Sequence, residues 1–243
     1  MSRETPALSV VIPTLEEERT LGALLGDLRA LPVPHEVIVA DGGSADATVA
    51  IARAQGALVV QAPAGRGSQL GAGAARARAG VFCFLHADVR LDAGAVAALE
   101  IAVRHASRAA LVFDLRIDAP GAAFRLIELA VGARTRVLRL PYGDQGLVVS
   151  RVAYDAAGGY ADVPLLEDVA LIRALRRVVP IRVLPASLTI SPRRWHREGI
   201  AARTVRNWIL LARYLLGTPP ATLARAYPAH NAAREEDHPS SGA

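Results

Sequence analysis

Cysteine is almost absent from this chain, which contains one, Cys83, among 243 residues. A single cysteine excludes an internal disulfide and a cysteine-rich zinc site. Cys83 lies within the apolar run 81–85, so we expect a buried small hydrophobic residue rather than a nucleophile. This cysteine usage fits a reducing compartment.

Aromatic residues are also scarce, at 5%, and the sequence has no long basic run despite its formal net charge of +5. Proteins that bind nucleic acid usually carry a clustered basic surface with aromatic residues interleaved. The basic residues here are almost all arginine and are scattered along the chain. We therefore predict no nucleic-acid partner and favour a small ligand that carries phosphate.

Long apolar segments are missing too. No stretch approaches the roughly 20 apolar residues of a transmembrane helix, and no signal-peptide core precedes the first predicted strand. We therefore expect a cytoplasmic protein. Residues 208–216 are apolar and lie near Arg203, Arg206 and Arg213, so peripheral contact with the inner membrane face is an open alternative to packing on the domain.

Short apolar runs alternate with helical patterns through the first half of the chain. The runs predict strands at 8–12, 37–40, 57–60, 81–85 and 110–113. Helical spacing, end signals or composition predict helices at 21–31, 44–54, 68–79 and 92–105. This alternation indicates an α/β fold of Rossmann-like type, with a mainly parallel sheet and helices on both faces.

The second half is less regular. We predict helices at 124–138, 166–178 and 201–216, a loop at 142–146, and short strands at 147–149, 181–184 and 188–190. Residues 1–217 are expected to form a single domain. Residues 218–243 are expected to be a short, partly disordered extension, since the tail from about residue 229 is polar.

Polar residues and glycines gather directly after four of the predicted strands, at 13–17, 41–44, 64–67 and 86–88. In open α/β sheets, ligands bind outside the carboxyl ends of the strands. Asp88 can hold a divalent metal on a diphosphate, or can simply turn the chain. Asp41 can accept a hydrogen bond from a base or ribose, or belong to an ordinary turn before a helix.

Three further segments have both a chemical and a plain structural interpretation. Residues 65–69 can bring Arg66 and backbone amides to phosphate. Their glycines also suggest a dinucleotide fingerprint, but such a fingerprint belongs after the first strand of a domain. Glu167 and Asp168 can supply a general base, but acidic residues also favour helix starts. Residues 192–196 can bind diphosphate, with His196 as a metal ligand, or form a surface turn.

In their order along the chain these segments resemble family 2 glycosyltransferases of GT-A fold, over roughly residues 7–217. The resemblance rests on 9–17, on 39–48, on 86–88 at the place of the Asp-x-Asp metal motif, and on the acidic pair Glu167–Asp168. Asn is usual where Glu16 stands, a second acidic residue where Gly42 stands, and Asp where His86 stands. Residues 85–88, 143–146, 164–169 and 193–195 are similar to a small subgroup labelled arsenosugar-biosynthesis-like.

The resemblance implies an inverting glycosyltransferase that uses a nucleotide-diphosphate sugar, Mg²⁺ or Mn²⁺, and a small-molecule or lipid acceptor. Asp168 is the implied catalytic base, with Glu167 beside it, and Asp88 the implied metal ligand, with His196 as a further candidate. The expected donor-binding residues are Pro13, Thr14, Glu17, Asp41, Gly43, Arg66 and His86. The expected acceptor-binding residues are Asp144, Gln145, Arg194 and Trp195.

Two other functions are compatible with these motifs. A nucleotidyltransferase that makes a nucleotide-sugar would use a related sheet, although the first strand is not followed by a glycine-rich loop. A nucleotide-binding protein with a decayed site is the second alternative, because His86 replaces a carboxylate. The sequence predicts neither the sugar nor the oligomeric state.

Overall fold

The computed structural model describes residues 5–226, except for the side chains of Arg194, Arg197 and Ala201. Its strands are β1 (Leu8–Thr14), β2 (His35–Asp41), β3 (Leu58–Gln61), β4 (Val81–Phe84), β5 (Val89–Arg90), β6 (Ala110–Ile117), β7 (Leu147–Ser150) and β8 (Ile181–Ile190). Its α-helices are α1 (Leu21–Leu28), α2 (Thr48–Ala54), α3 (Arg66–Arg76), α4 (Ala93–His105), α5 (Ala122–Ala133), α6 (Arg151–Ala156), α7 (Glu167–Leu175), α8 (Arg193–Glu198), α9 (Ile200–Leu215) and α10 (Pro220–Ala226).

The described strands form one sheet in the order β3-β2-β1-β4-β7-β6-β8-β5. Four pairings are parallel, namely β1 with β2, β1 with β4, β2 with β3, and β6 with β8. Strand β7 comes from the second half of the chain and runs antiparallel between β4 and β6. The mainly parallel sheet is therefore confirmed, with an antiparallel strand inserted at its centre.

Helices cover both faces of this sheet, as the sequence predicted. Along β1 the side chains alternate, so that Val10 and Ile12 pack in one buried layer and Val11 in the other. Helices α1 and α4 cover the first layer, while α3, α6 and α7 cover the second. Cys83 is fully buried in the first layer, and burial raises the pKa of its thiol. Cys83 is thus a core residue.

Close approach of α3 to the sheet depends on a glycine. A Cβ on Gly73 would lie 2.4 Å from Cγ1 of Val11, so no larger residue fits there without movement. Asp92 caps α4, because its side chain accepts a hydrogen bond from the Ala95 amide. Before α2, the Asp46 carboxylate accepts from the Thr48 amide at 2.9 Å, while the Ser44 hydroxyl donates to Asp41.

Several elements of the second half differ from their predicted form. The two strands expected at 181–184 and 188–190 form one strand, β8, which pairs with β6 on both sides of an irregularity opposite Pro185. Proline has no amide hydrogen for the ladder, which explains the interruption. The helix predicted at 124–138 corresponds to α5, which ends at Ala133, and to a π-helical turn that follows it, Arg134–Leu138.

The region after residue 217 was predicted to be an extension. Helix α10 lies within it, and its Leu223 is fully buried. Residues 227–243 lie outside the described part of the chain. Between residues 5 and 226, none of the helices is both long and apolar enough to cross a bilayer.

Candidate active site

The ends of β1, β2 and β4 lie together at one edge of the sheet. Thr14 and Asp41 are paired in the β1–β2 register, and the Leu85 amide donates to Val11 O just before His86. Since these strands are parallel, the segments that follow them emerge at the same edge. The structure therefore brings together the predicted segments at 13–17, 41–44 and 86–88.

Asp41 organises the turn that follows β2. Its carboxylate accepts hydrogen bonds from Thr14 Oγ1 at 3.1 Å, from the Gly43 and Ser44 amides at 2.9 Å each, and from Ser44 Oγ at 2.6 Å. Burial alone would raise the pKa of Asp41, but the hydrogen bonds outweigh it and lower the pKa. Asp41 is fully buried and ionised, and it holds the Gly43–Ser44 backbone in place.

Gln69, which the sequence analysis missed, joins three elements beneath this turn. Its buried Nε2 donates to Thr14 O at 2.6 Å and to Ala40 O at 3.0 Å, while its Oε1 accepts from the Gly65 amide at 3.3 Å. A Cβ on Gly42 would lie 3.0 Å from Gln69 Nε2. A larger residue at position 42 would therefore require Gln69 to shift.

The segment after β1 is linked to α2. Glu16 has a φ of 56°, a left-handed conformation that Asn adopts more readily than Glu. The Glu16 carboxylate accepts from the Ala45 amide at 2.7 Å, which ties the segment to the turn after β2. Glu17 accepts from Thr20 Oγ1 at 2.8 Å and has Arg193 Nη2 at 3.9 Å from its Oε2. Pro13 is buried in β1.

The start of α3 contacts the segment that leads into α7. Arg66 Nε forms an ion pair of 2.8 Å with Glu167, and Ser68 Oγ donates to Asp162 at 2.5 Å. A Cβ on Gly67 would lie 2.2 Å from Ala161 O. Gly67 therefore allows the start of α3 to pack closely against the segment before α7, which accounts for this glycine without a dinucleotide fingerprint.

Arg66 and Glu167 differ in exposure. The Arg66 side chain is 41% exposed, whereas that of Glu167 is 4% exposed. Burial raises the pKa of Glu167, and Arg66 opposes that rise. Desolvation would lower the pKa of Arg66, but Glu167, Asp168 and Asp144 raise it. Arg66 thus remains a cation held in place by Glu167, with part of its side chain open to solvent.

Gly143 lies between the end of β4 and the start of α7. Its amide donates to Asp168 Oδ2 at 2.7 Å. A Cβ on Gly143 would lie 2.8 Å from His86 Nε2 and 3.4 Å from Asp168 Oδ2. The imidazole of His86 and the carboxylate of Asp168 therefore flank the same backbone position. Leu166, just before the acidic pair, is in a left-handed conformation with φ 60°, a strain of about 1–2 kcal/mol for a non-glycine residue.

Asp144 lies in a 3₁₀ turn, Gly143–Gln145, that the buried Arg134 supports. The Arg134 guanidinium carbon lies 3.6 Å from the centre of the Tyr142 ring, and its Nη2 donates to Gln145 Oε1 at 3.3 Å. Gln145 is fully buried and also donates to Phe113 O at 3.0 Å. Gln145 therefore shapes the turn and does not line an open surface.

The Asp144 carboxylate is in an unfavourable environment. Its Oδ1 is buried, and no described group forms a hydrogen bond with it. Burial raises the pKa of Asp144, Asp168 and Asp88 raise it further, and Arg134 and Arg66 oppose the rise. An ionisable group with a raised pKa beside other carboxylates is a common feature of functional sites.

Helix α8 carries the remaining predicted residues. Trp195 is 7% exposed and its ring meets Phe124 edge-to-face at a centroid distance of 6.5 Å, so it is a packing residue. The exposed His196 also contacts Phe124, at 5.8 Å between ring centroids. The side chain of Arg194 lies outside the described part of the structure.

The residues at this edge could hold a divalent metal only together with a bound diphosphate. Among residues 5–226 there is no cluster of three or more Asp, Glu, His or Cys side chains arranged to hold a metal. The half-buried Asp88 can supply a hard oxygen atom, which Mg²⁺ and Mn²⁺ accept. A diphosphate would have to contribute the remaining oxygen ligands.

Comparison with known proteins identifies the family. The sequence profile described as Glycosyl transferase family 2 matches residues 9–151, more than half of the chain. The chain belongs to glycosyltransferase family 2. The predicted family membership is thus confirmed, and the matched range contains the strand ends, Gly143, Asp144 and Gln145. The acidic pair at the start of α7 lies beyond it.

Two relatives resemble shorter parts of this family 2 chain. An uncharacterized glycosyltransferase of Mycobacterium tuberculosis is 38% identical over 89 residues, which is 36% of this chain and 39% of that protein. The 4,4'-diaponeurosporenoate glycosyltransferase of Staphylococcus aureus is 44% identical over 54 residues, or 22% of this chain and 14% of that protein. The matched segments therefore span well under half of either relative.

Solved structures confirm the predicted GT-A type of α/β fold. The S. aureus TarS structure in complex with UDP-GlcNAc has a TM-score of 0.60 at 17% identity, covering 76% of this chain and 58% of that one. Glucosyl-3-phosphoglycerate synthase from M. tuberculosis, in complex with Mn²⁺, UDP and glucosyl-3-phosphoglycerate, has a TM-score of 0.53 at 22% identity, covering 76% and 71%. At such low identities these matches establish the fold.

Proposed function

We propose that this chain transfers a sugar from a nucleotide-diphosphate sugar to a hydroxyl acceptor, with inversion at the sugar and with Mg²⁺ or Mn²⁺ as cofactor. One observation carries the proposal: Gly143 brings the base candidate Asp168 next to His86, at the sheet edge where the donor-side segments emerge. Family membership and the nucleotide-sugar and Mn²⁺ complexes of structural neighbours support it.

The donor-binding role falls to residues around the ends of β1 and β2. Pro13 and Thr14 end β1, and Glu17 follows them beside Arg193. Because protein groups already donate four hydrogen bonds to Asp41, we assign Asp41 the task of presenting the Gly43 and Ser44 backbone to the nucleotide. His86 retains its predicted donor-side role, at the end of β4 and beside Gly143.

Glu167 has a positioning role in this proposal, because it is buried and paired with Arg66. It aims the guanidinium, whose exposed part then meets the diphosphate. Asp168, which is only partly buried, is the general base that takes the proton of the acceptor hydroxyl. The hydrogen bond from Gly143 orients this carboxylate.

Asp88 is the proposed metal ligand, and His196 stays a second candidate on α8. Bound to the diphosphate, Mg²⁺ or Mn²⁺ would neutralise charge that develops on the leaving nucleotide. Because the leaving group then needs no proton, one carboxylate base is sufficient. Asp144 is the acceptor contact in this proposal, and Gln145 supports the turn that carries it. Arg194 retains its predicted acceptor role, whereas Trp195 packs against Phe124.

A screen of nucleotide-sugars with Mg²⁺ and Mn²⁺ tests the activity. We expect release of a nucleoside diphosphate from one donor, first by slow hydrolysis and faster with a hydroxyl acceptor. The Asp168→Asn variant serves as the inactive reference. Release of pyrophosphate from a nucleoside triphosphate and a sugar phosphate would instead identify a nucleotidyltransferase. A nucleotide that raises the melting temperature while no donor is turned over would instead identify the nucleotide-binding protein with a decayed site.

A further inference from the structure

Helix α9 has its apolar side turned outward. The large hydrophobic residues on its exposed side are Val205 (56% exposed), Trp208 (43%), Ile209 (44%), Leu215 (42%) and Leu216 at its C-cap (86%). They recur at spacings of three, four and seven residues, which places them along one stripe of the helix. A surface helix normally directs such a stripe to the core, whereas this stripe faces solvent.

The opposite side of α9 packs on the domain and carries the polar groups. Arg203 is 8% exposed, and both Arg203 and Arg206 pair with Glu198 at the end of α8. Leu211 is buried in the layer that α7 also covers, and Tyr214 lies beneath Arg173 of α7. These contacts fix the orientation of α9 on the domain, with Arg203 and Arg206 directed towards Glu198.

We propose that the outward face of α9, defined as Val205, Trp208, Ile209, Arg213, Leu215 and Leu216, binds the surface of an anionic lipid bilayer. Five apolar side chains on one rigid helix offer the area that an interfacial helix inserts. Arg213 is exposed on the same face and matches anionic headgroups. An exposed tryptophan suits the boundary between headgroups and acyl chains.

Two other occupants fit this face less well. Residues 227–243 follow α10 directly, but Tyr227 is their only large apolar residue, so they offer little to cover the stripe. A second copy of the chain would need roughly 800 Å² and about 20–30 residues per partner for a stable dimer, whereas the outward face of α9 comprises six residues. A bilayer requires no such complementary surface.

The position of this face relative to the site has a functional consequence. Helix α9 packs against α7, and the first turn of α7 carries the proposed base Asp168. Bilayer binding through α9 would keep α7, and with it the proposed base, close to the membrane. An acceptor that carries its hydroxyl at a lipid surface would then be presented to the site.

Co-sedimentation with vesicles tests the lipid-binding face without any donor or acceptor. The full chain is mixed with vesicles of phosphatidylcholine alone or phosphatidylcholine with phosphatidylglycerol. We expect sedimentation with the anionic vesicles and a blue shift of tryptophan emission, since Trp195 is already buried. The double variant Trp208→Ser/Ile209→Ser should lower the partition coefficient about tenfold or more, and Arg213→Glu should weaken binding to the anionic vesicles only.

Ile101→Ser on α4 and Val152→Ser on α6 are matched controls, because both residues are exposed but lie outside α9. They should sediment like the unmodified chain, and all variants should keep its circular dichroism and melting temperature. Equal vesicle binding by the Trp208→Ser/Ile209→Ser variant would overturn the proposal. So would a concentration-dependent dimer that this variant abolishes, because the face would then be a subunit interface. Asp168→Asn should bind vesicles normally, so failure of the catalytic proposal is distinguishable.

Discussion

The amide of Gly143 donates a 2.7 Å hydrogen bond to Oδ2 of Asp168, 25 residues further along the chain. This bond connects the turn before β7 with the start of α7. Because a side chain at residue 143 would collide with the His86 imidazole, the same glycine also sets the distance between the β4 end and the base. The proposed chemistry depends on this contact.

Removal of the base charge should abolish most turnover. Asp168→Asn keeps the size of the side chain but takes away the proton acceptor, so we expect a decrease in kcat on the order of 100-fold or more. Steady-state release of nucleoside diphosphate measures the change. Asp155→Asn, at an exposed position of α6, is the matched control and should retain full activity. Near-normal turnover of Asp168→Asn would disprove the base assignment.

Gly143→Ala should impair catalysis while the fold persists. The added Cβ would lie 2.8 Å from His86 Nε2, so the imidazole or the turn must shift. We expect at least a tenfold loss of kcat, because sub-ångström displacement of a base is costly. The control is Gly80→Ala, whose Cβ would meet no atom within 4 Å. Equal activity of the two variants would show that the glycine is not needed at the site.

Arg66 and Glu167 should act on donor binding as a pair. Arg66→Met removes the phosphate-binding cation, and Glu167→Gln removes the carboxylate that orients it, so both should weaken UDP binding by roughly three- to tenfold. Isothermal titration with UDP and Mn²⁺ provides the measurement. The double variant should bind about as well as Arg66→Met alone. Additive losses would mean that Glu167 contributes separately, and unchanged UDP binding of Glu167→Gln would remove its positioning role.

Asp144→Asn should stabilise the protein at neutral pH while reducing activity. Burial raises the pKa of Asp144 in the folded state above its unfolded value, so ionisation of this group costs folding free energy as the pH rises through the folded pKa. Below about pH 4 the carboxyl is protonated in both states and the substitution should have no advantage. Melting temperatures between pH 4 and 8, without metal or nucleotide, test this dependence. A variant less stable at neutral pH would contradict it.

The preference of the enzyme for Mn²⁺ or Mg²⁺ indicates whether His86 binds the metal. Imidazole binds Mn²⁺ more readily than Mg²⁺, so a metal shell that includes His86 predicts a marked preference for Mn²⁺. His86→Asp, which introduces the carboxylate usual in the family, should then shift the preference towards Mg²⁺. Initial rates over a series of metal concentrations decide the matter. Equal rates with both ions in the unmodified chain would place His86 outside the shell.

Local sequence patterns predicted most of the first half. Strand β1 and helix α1 follow from a buried β-branched run and from leucines at helical spacing, and both patterns depend only on near neighbours. The contacts of Gln69 and Arg134 were missed, because a polar residue gives no sign in sequence of which distant carbonyl or ring it will meet. The single strand β8 was missed because Pro185 resembles a strand end.

The alternation of strands and helices follows from the amino-acid sequence alone, and so does the edge of the sheet where Thr14, Asp41 and Asp88 would meet. The order of the motifs also indicates family 2. The partners of the site residues became visible in the folded chain: Arg66 with Glu167, Gly143 with Asp168, and Arg134 beside Asp144. Periodicity is a local property of the chain, whereas burial and charge pairing arise between residues that folding brings together from distant positions.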